Sequence, residues 1–146
     1  MRVALLVCFV VSVSACAGSP SAPTSVAAGT TMNIAGTWNG TIASSNNETM
    51  QMTMVLTQSG SDVSGTWTSS SVNWTGQVTG SVKGSSFDAQ FKFSGQAANG
   101  TVCTGTANVA GTATASTLTL TSASGVVGGS CPAPLPAGLK IEMQRQ

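Results

Sequence analysis

From residue 34 onward, apolar and polar positions alternate, and no stretch carries the three-to-four spacing of an amphipathic helix. "GTWNGTIAS" (36–44) sets Trp38, Gly40 and Ile42 against Thr37, Asn39 and Thr41. "TMQMTMVLTQ" (49–58) puts Met50, Met52, Met54 and Leu56 on one face, with Thr49, Gln51, Thr53 and Thr57 on the other. The same reading applies to "VSGTWTSS" (63–70), "WTGQVTGSV" (74–82), "FDAQFKF" (87–93), "TVCTGTANV" (101–109), "STLTLTS" (116–122) and "GLKIEMQR" (138–145). Strands with one apolar and one polar face bury the first and wet the second.

"SSNNE", "SGSD" and "KGSS" separate neighbouring runs and carry turn chemistry. Short turns between about eight closely spaced strands predict an all-β fold, a single antiparallel up-and-down β-barrel. The bulky inward set Phe87, Phe91 and Phe93 lies between strands of small inward residues, with Gly76, Val78 and Gly80 on one side and Gly105 and Ala107 on the other. Large beside small is how a filled core interdigitates, which favours a packed interior over an open pocket. Met50, Met52 and Met54 argue the other way, as a soft wall suited to an apolar ligand. Trp67 and Trp74 flank "SSSVN" and are placed at a barrel mouth. "GTW" occurs at 36–38 and 65–67, but the flanks differ, so both read as strand segments with similar demands rather than a repeat.

Composition narrows the function. Charged residues are 6% of the 146, and there is no histidine and no tyrosine. Lys83, Lys92, Lys140 and Arg145 cannot build the basic patch that nucleic acid requires. Without histidine there is no Ser-His-Asp or Cys-His nucleophile system. Glu48 and Asp62 fall in turns, and Asp88 and Glu142 on outward faces, so no carboxylate pair shares a cleft. No glycine-rich phosphate cradle leads into a helix. The expectation is a non-enzyme, with no cofactor and no metal.

The N-terminus breaks the strand pattern. Arg2 is followed by an apolar run through Val11 and then by small residues, the layout of a secretory signal peptide. That run is too short to remain as a membrane helix. Val13-Ser14-Ala15-Cys16 resembles the bacterial lipobox, which implies cleavage before Cys16 and lipidation of its thiol. The competing site, Ala15-Cys16-Ala17, fits ordinary signal peptidase and would discard Cys16. The first reading gives a signal peptide over 1–15, a lipidated Cys16 with a flexible linker over 16–33, and a barrel domain over 34–146. Residues 17–31 are a Pro/Ser/Ala linker of roughly 20 Å average reach. The expected location is the cell envelope, held to a membrane through the lipid. Ala17 after the cysteine resembles the outer-membrane address of cells with two membranes, facing the periplasm or the cell surface. Asn39, Asn47, Asn73 and Asn99 each begin an N-x-T sequon, which matters only if the source is eukaryotic.

With Cys8 removed and Cys16 acylated, Cys103 and Cys131 remain. Two cysteines in an exported domain most simply form one disulfide. Two thiolates without histidine make a poor metal site, and C-x-x-C redox spacing is absent. The bridge would tie a strand to the loop "GGSCPAPLPAG" (128–138).

"IAGTWNG", an amphipathic strand and "SGSDVSGTW" together resemble the calycins, the lipocalin and avidin superfamily. The resemblance covers residues 34–146 in pattern and implies a small β-barrel. Its first-strand Gly-x-Trp is matched by Gly36 and Trp38, and the basic residue that closes over that tryptophan from the last strand is matched by Arg145. No second lipocalin block is present, and the avidin ligand contacts after the first tryptophan are not reproduced, so biotin binding is not implied. The resulting expectation is a lipid-anchored module for a small apolar ligand, with Trp38, Met52, Met54, Trp67 and Phe91 as the candidate ligand residues. Two alternatives stay open: a protein-binding envelope lipoprotein such as a hydrolase inhibitor, using loops 45–48, 70–73 and 94–100, and a structural envelope lipoprotein without a ligand. A barrel spanning the membrane is disfavoured by short strands and by the lack of aromatic girdles.

Overall fold

A computed structural model describes residues 30–43, 48–71, 73–96, 100–129 and 138–146, with the backbone alone for 123, 124 and 126–129. The expected signal peptide, Cys16 and Cys131 lie outside the described residues. Eight strands follow one another, β1 (Gly36–Ala43), β2 (Thr49–Ser59), β3 (Asp62–Ser69), β4 (Trp74–Lys83), β5 (Ser86–Gln96), β6 (Val102–Ala113), β7 (Thr117–Gly129) and β8 (Lys140–Arg145). Each pairs antiparallel with its sequence neighbour, and β1 pairs with β8, so the chain forms a closed up-and-down barrel. The described residues contain no helix.

Period-two alternation decides which face of each strand is buried. β5 alternates strictly between exposed and buried, from Ser86 outward and Phe87 inward through Gly95 inward and Gln96 outward. The outer wall is hydroxyl- and amide-rich; Thr53, for example, donates to Asn39 Oδ1 at 2.7 Å. Among described large hydrophobics, Val55 and Val102 are the exposed ones. A transmembrane barrel would present the opposite surface, with an apolar band outward.

Large and small inward residues alternate from strand to strand. Trp67 pairs with Gly76, Gly76 with Phe93, and Phe93 with Gly105. A Cβ on Gly76 would collide with the Lys92 carbonyl oxygen and the Trp67 indole, so the tight curvature here needs a glycine. Gly36 is needed for a different reason: its φ of 136° suits glycine although nothing crowds it.

The strands predicted as 101–109 and 116–122 are longer in the structure, β6 to Ala113 and β7 to Gly129. For β7 the cause lies in its register with β6. Asn108 pairs with Ser124 but Val109 pairs with Ser122, so Ala123 is an extra residue, a β-bulge. Pairing to inward β6 positions shifts from even to odd residues of β7 at that point, which erases the alternation a sequence reading depends on.

Candidate ligand site at the barrel mouth

The barrel has two unlike ends. At the base, connections are tight: residues 60–61 join β2 to β3, 84–85 join β4 to β5, and 114–116 join β6 to β7. Thr114 organises the last of these, its hydroxyl accepting from the Ser116 and Thr117 amides at 3.3 and 2.9 Å. At the mouth, the connections over 44–48, 70–73, 97–101 and 130–139 are longer.

The residues before β1 seal the base as a strap. Met32 donates its amide to the Gly84 carbonyl at 3.1 Å. Gln58 accepts from the Ile34 amide at 2.8 Å and donates to the Met32 and Gly60 carbonyls at 3.0 and 2.9 Å. Ile34 is thereby seated as a plug with no exposed surface. Beneath it, Trp38 donates Nε1 to the Ile34 carbonyl at 2.9 Å. Arg145 pairs with Trp38 across the β1–β8 seam, its Cζ 4.8 Å from the indole centroid. Its Nη2 donates to the Asn33 carbonyl at 2.7 Å, while its buried Nε has no partner. Cation–π attraction and the packing of the guanidinium plane over the indole fix both residues. Trp38 and Arg145 therefore meet in one closure, and Gly36 starts the strand that carries Trp38.

Above the base the core is dense. Trp38, Phe87, Met54, Leu118, Leu120 and Met143 are each less than 2% exposed, so no water-sized void adjoins them. Trp67 and Phe91 come next, 4% and 3% exposed, with ring centroids 6.4 Å apart. Met52, at 2%, belongs to the same cluster. At the mouth, burial loosens: Ile42 and Met50, paired on β1 and β2, and Trp74 on β4 are only partly buried. Trp74 stacks on Phe93 with centroids 5.3 Å apart and planes 15° apart, and donates Nε1 to the Gln96 carbonyl at 3.1 Å. Its ring lies over Gly95, where a Cβ would fall within 2.7 Å of the indole.

Of the five residues expected to meet a ligand, Trp38 and Met54 are wholly buried in the sealed part, and Met52, Trp67 and Phe91 are nearly so. The partly accessible apolar side chains packed against the core are instead Ile42, Met50 and Trp74 at the mouth and Met32 in the strap. Sequence reasoning placed both Trp67 and Trp74 at the rim, but Trp67 is buried at 4%. It read Met50 and Ile42 as inward without making them candidate ligand residues, because alternation marks a side chain as inward without saying how deep it sits. It also missed the strap and Gln58, whose polar side chain at a strand end looks like ordinary surface. Cys103 is buried on β6, paired with Gly95 and Gly129.

All the described Asp, Glu and Lys side chains are exposed on outer surfaces. Lys140 and Glu142 form an ion pair at 2.6 Å on the outside of β8. Among the described residues, no group of three His, Cys, Asp or Glu side chains could hold a metal ion. A shallow open depression of about 450 Å³ crosses β4, β5 and β6 on the outer wall, bordered by Thr79, Asp88, Gln90 and Asn108. No aromatic ring lines it. The closed eight-stranded barrel is compatible with a calycin-like fold. No protein-family model, curated protein or solved structure matches the chain.

Proposed function

We propose that the protein is an exported envelope lipoprotein, anchored through Cys16, whose barrel binds a small apolar ligand at its mouth. The contrast in burial along the barrel carries this reading: a dense, strapped base gives way to a half-open apolar rim at Ile42, Met50 and Trp74. A rigid barrel with its adaptable surface at one end is a common way to mount a binding site. Anchoring rests on the N-terminal pattern and is compatible with the strap. Residues 32–34 are tied to the base, so a tether running back to Cys16 starts from the end opposite the mouth.

The proposed Cys103–Cys131 disulfide would brace the mouth side. Cys103 pairs with Gly129, two residues before Cys131. Nothing in the described chemistry favours catalysis: the chain has no histidine, and its described carboxylates are scattered and exposed. A second reading is docking of a protein partner such as a hydrolase, for which the support is the greater length of sequence between the strand ends at the mouth than between those at the base.

Native mass spectrometry of the full chain released gently from its membrane tests the proposal. The expected species starts at Cys16, carries acyl mass, has Cys103 and Cys131 oxidised, and holds a co-purified small molecule. An unacylated chain refutes the anchor, and a ligand-free barrel under gentle conditions refutes the carrier reading.

A further inference from the structure

We infer, resting on the mouth-binding reading, that the ligand presents a compact, uncharged, planar ring to Trp74 and is not an extended acyl chain lying down the barrel axis. Depth is the first argument. A chain entering the mouth would pass Trp67 and Phe91 and then meet Met54, Trp38 and Phe87, which have no exposed surface. To seat it, close-packed core side chains must leave their positions, and interiors this dense do not yield without loss of contacts.

Shape is the second argument. Trp74 is not a loose side chain. Gly95 lies under its ring, Phe93 stacks on it with centroids 5.3 Å apart and planes 15° apart, and the Nε1 bond to Gln96 sets its rotation. Trp74 and Phe93 thus form a pre-set aromatic stack whose outer, partly accessible member is Trp74, and such a stack best extends by taking a further ring in offset or edge contact. Little ordering remains to be done on binding, which favours affinity for a small rigid ligand. Met50 and Ile42 add a wall that can adjust to the ligand's edge.

Charge is the third argument. Among the described residues, the inward strand positions at the mouth carry none; Lys140 and Glu142 pair with each other on the outside of β8, and Glu48, just before β2, is exposed. Among the described residues the one inward cation, Arg145, is at the base and committed to Trp38 and the Asn33 carbonyl. A fatty-acid carboxylate or an amine drawn into the rim would lose water without gaining a partner.

The test uses the full chain with Cys16→Ala, which removes the proposed lipid and the need for detergent, and two neutral probes. N-phenyl-1-naphthylamine supplies the planar rings and 1-dodecanol the chain. The naphthylamine is expected to bind with enhanced fluorescence, and dodecanol to fail to displace it. Trp74→Ala is expected to weaken the naphthylamine by about tenfold, with Trp74→Phe close to the parent because it restores a stacking ring. Circular dichroism confirms that each variant retains its strands. Displacement by dodecanol, with naphthylamine affinity still lost in Trp74→Ala, overturns the ring inference while leaving mouth binding intact; unchanged affinity in Trp74→Ala overturns both. Failure of both probes to bind the parent overturns the mouth-binding reading and this inference together.

Discussion

The two tryptophans that donate to backbone carbonyls at opposite ends of the barrel, Trp38 and Trp74, show how one side-chain type serves two purposes. Each indole nitrogen is satisfied, by Ile34 in one case and Gln96 in the other. Each ring has a companion, the Arg145 guanidinium for Trp38 and Phe93 for Trp74. The difference is what lies beyond the ring. Over Trp38 a strap held by Gln58 and Arg145 excludes water, and the indole is fully buried. Trp74 has no such strap among the described residues, and part of its ring stays in solvent. The same hydrogen-bonded aromatic is a keystone when sealed and a contact surface when left half open.

The sharpest way to break that comparison is to remove the sealed ring. Trp38→Ala deletes a fully buried indole and leaves the Arg145 guanidinium without its platform. Destabilisation of about 3–5 kcal/mol is expected from denaturant unfolding. Trp74→Ala should cost much less, because part of that ring already faces water. Equal losses at the two sites would show that the mouth is as much core as the base.

A smaller effect isolates the strap. Gln58→Ala removes one acceptor and two donors that hold residues 32–34 and the β2–β3 turn. With the Ile34 amide and the Met32 carbonyl left partly buried, a loss of about 1–3 kcal/mol is expected. Hydrogen exchange should speed up at Ile34 first, while amides paired across β4 and β5 keep their protection. Faster exchange that spreads evenly over the barrel would show that the strap is not a separate cooperative unit.

The sequence made the barrel legible because most strands bury one face only, so alternation survives in the residue order. Gly36, Trp38 and Arg145 were legible as a set through a resemblance, and the pairing of Trp38 with Arg145 across the seam shows their geometry. Legibility failed where geometry departs from period two. The β7 bulge at Ala123 shifts the phase, and the Gly- and Ser-rich run behind it offers no bulky residue to reset it. It failed again over depth. Met50, Met52 and Met54 form one stripe in the sequence, yet burial rises along it from the partly buried Met50 to the fully buried Met54. Where a ligand could reach depends on that gradient, which follows from how the ends are closed rather than from the stripe.

The smallest expected effect compares two cations on one strand. Lys140 starts β8 at the mouth end and Arg145 ends it at the base. The Lys140–Glu142 pair is short, at 2.6 Å, but its side chains are 56% and 57% exposed. Water screens the attraction, and two flexible side chains must be ordered to make it, so Lys140→Ala should cost about 0.5 kcal/mol or less. One molar salt should erase even that. Arg145 makes its contacts against a buried ring and a strap carbonyl, so Arg145→Ala should cost more and change little with salt. A Lys140 effect as large as that of Arg145 and equally resistant to salt would mean that the outer wall, and not only the sealed base, holds the barrel closed.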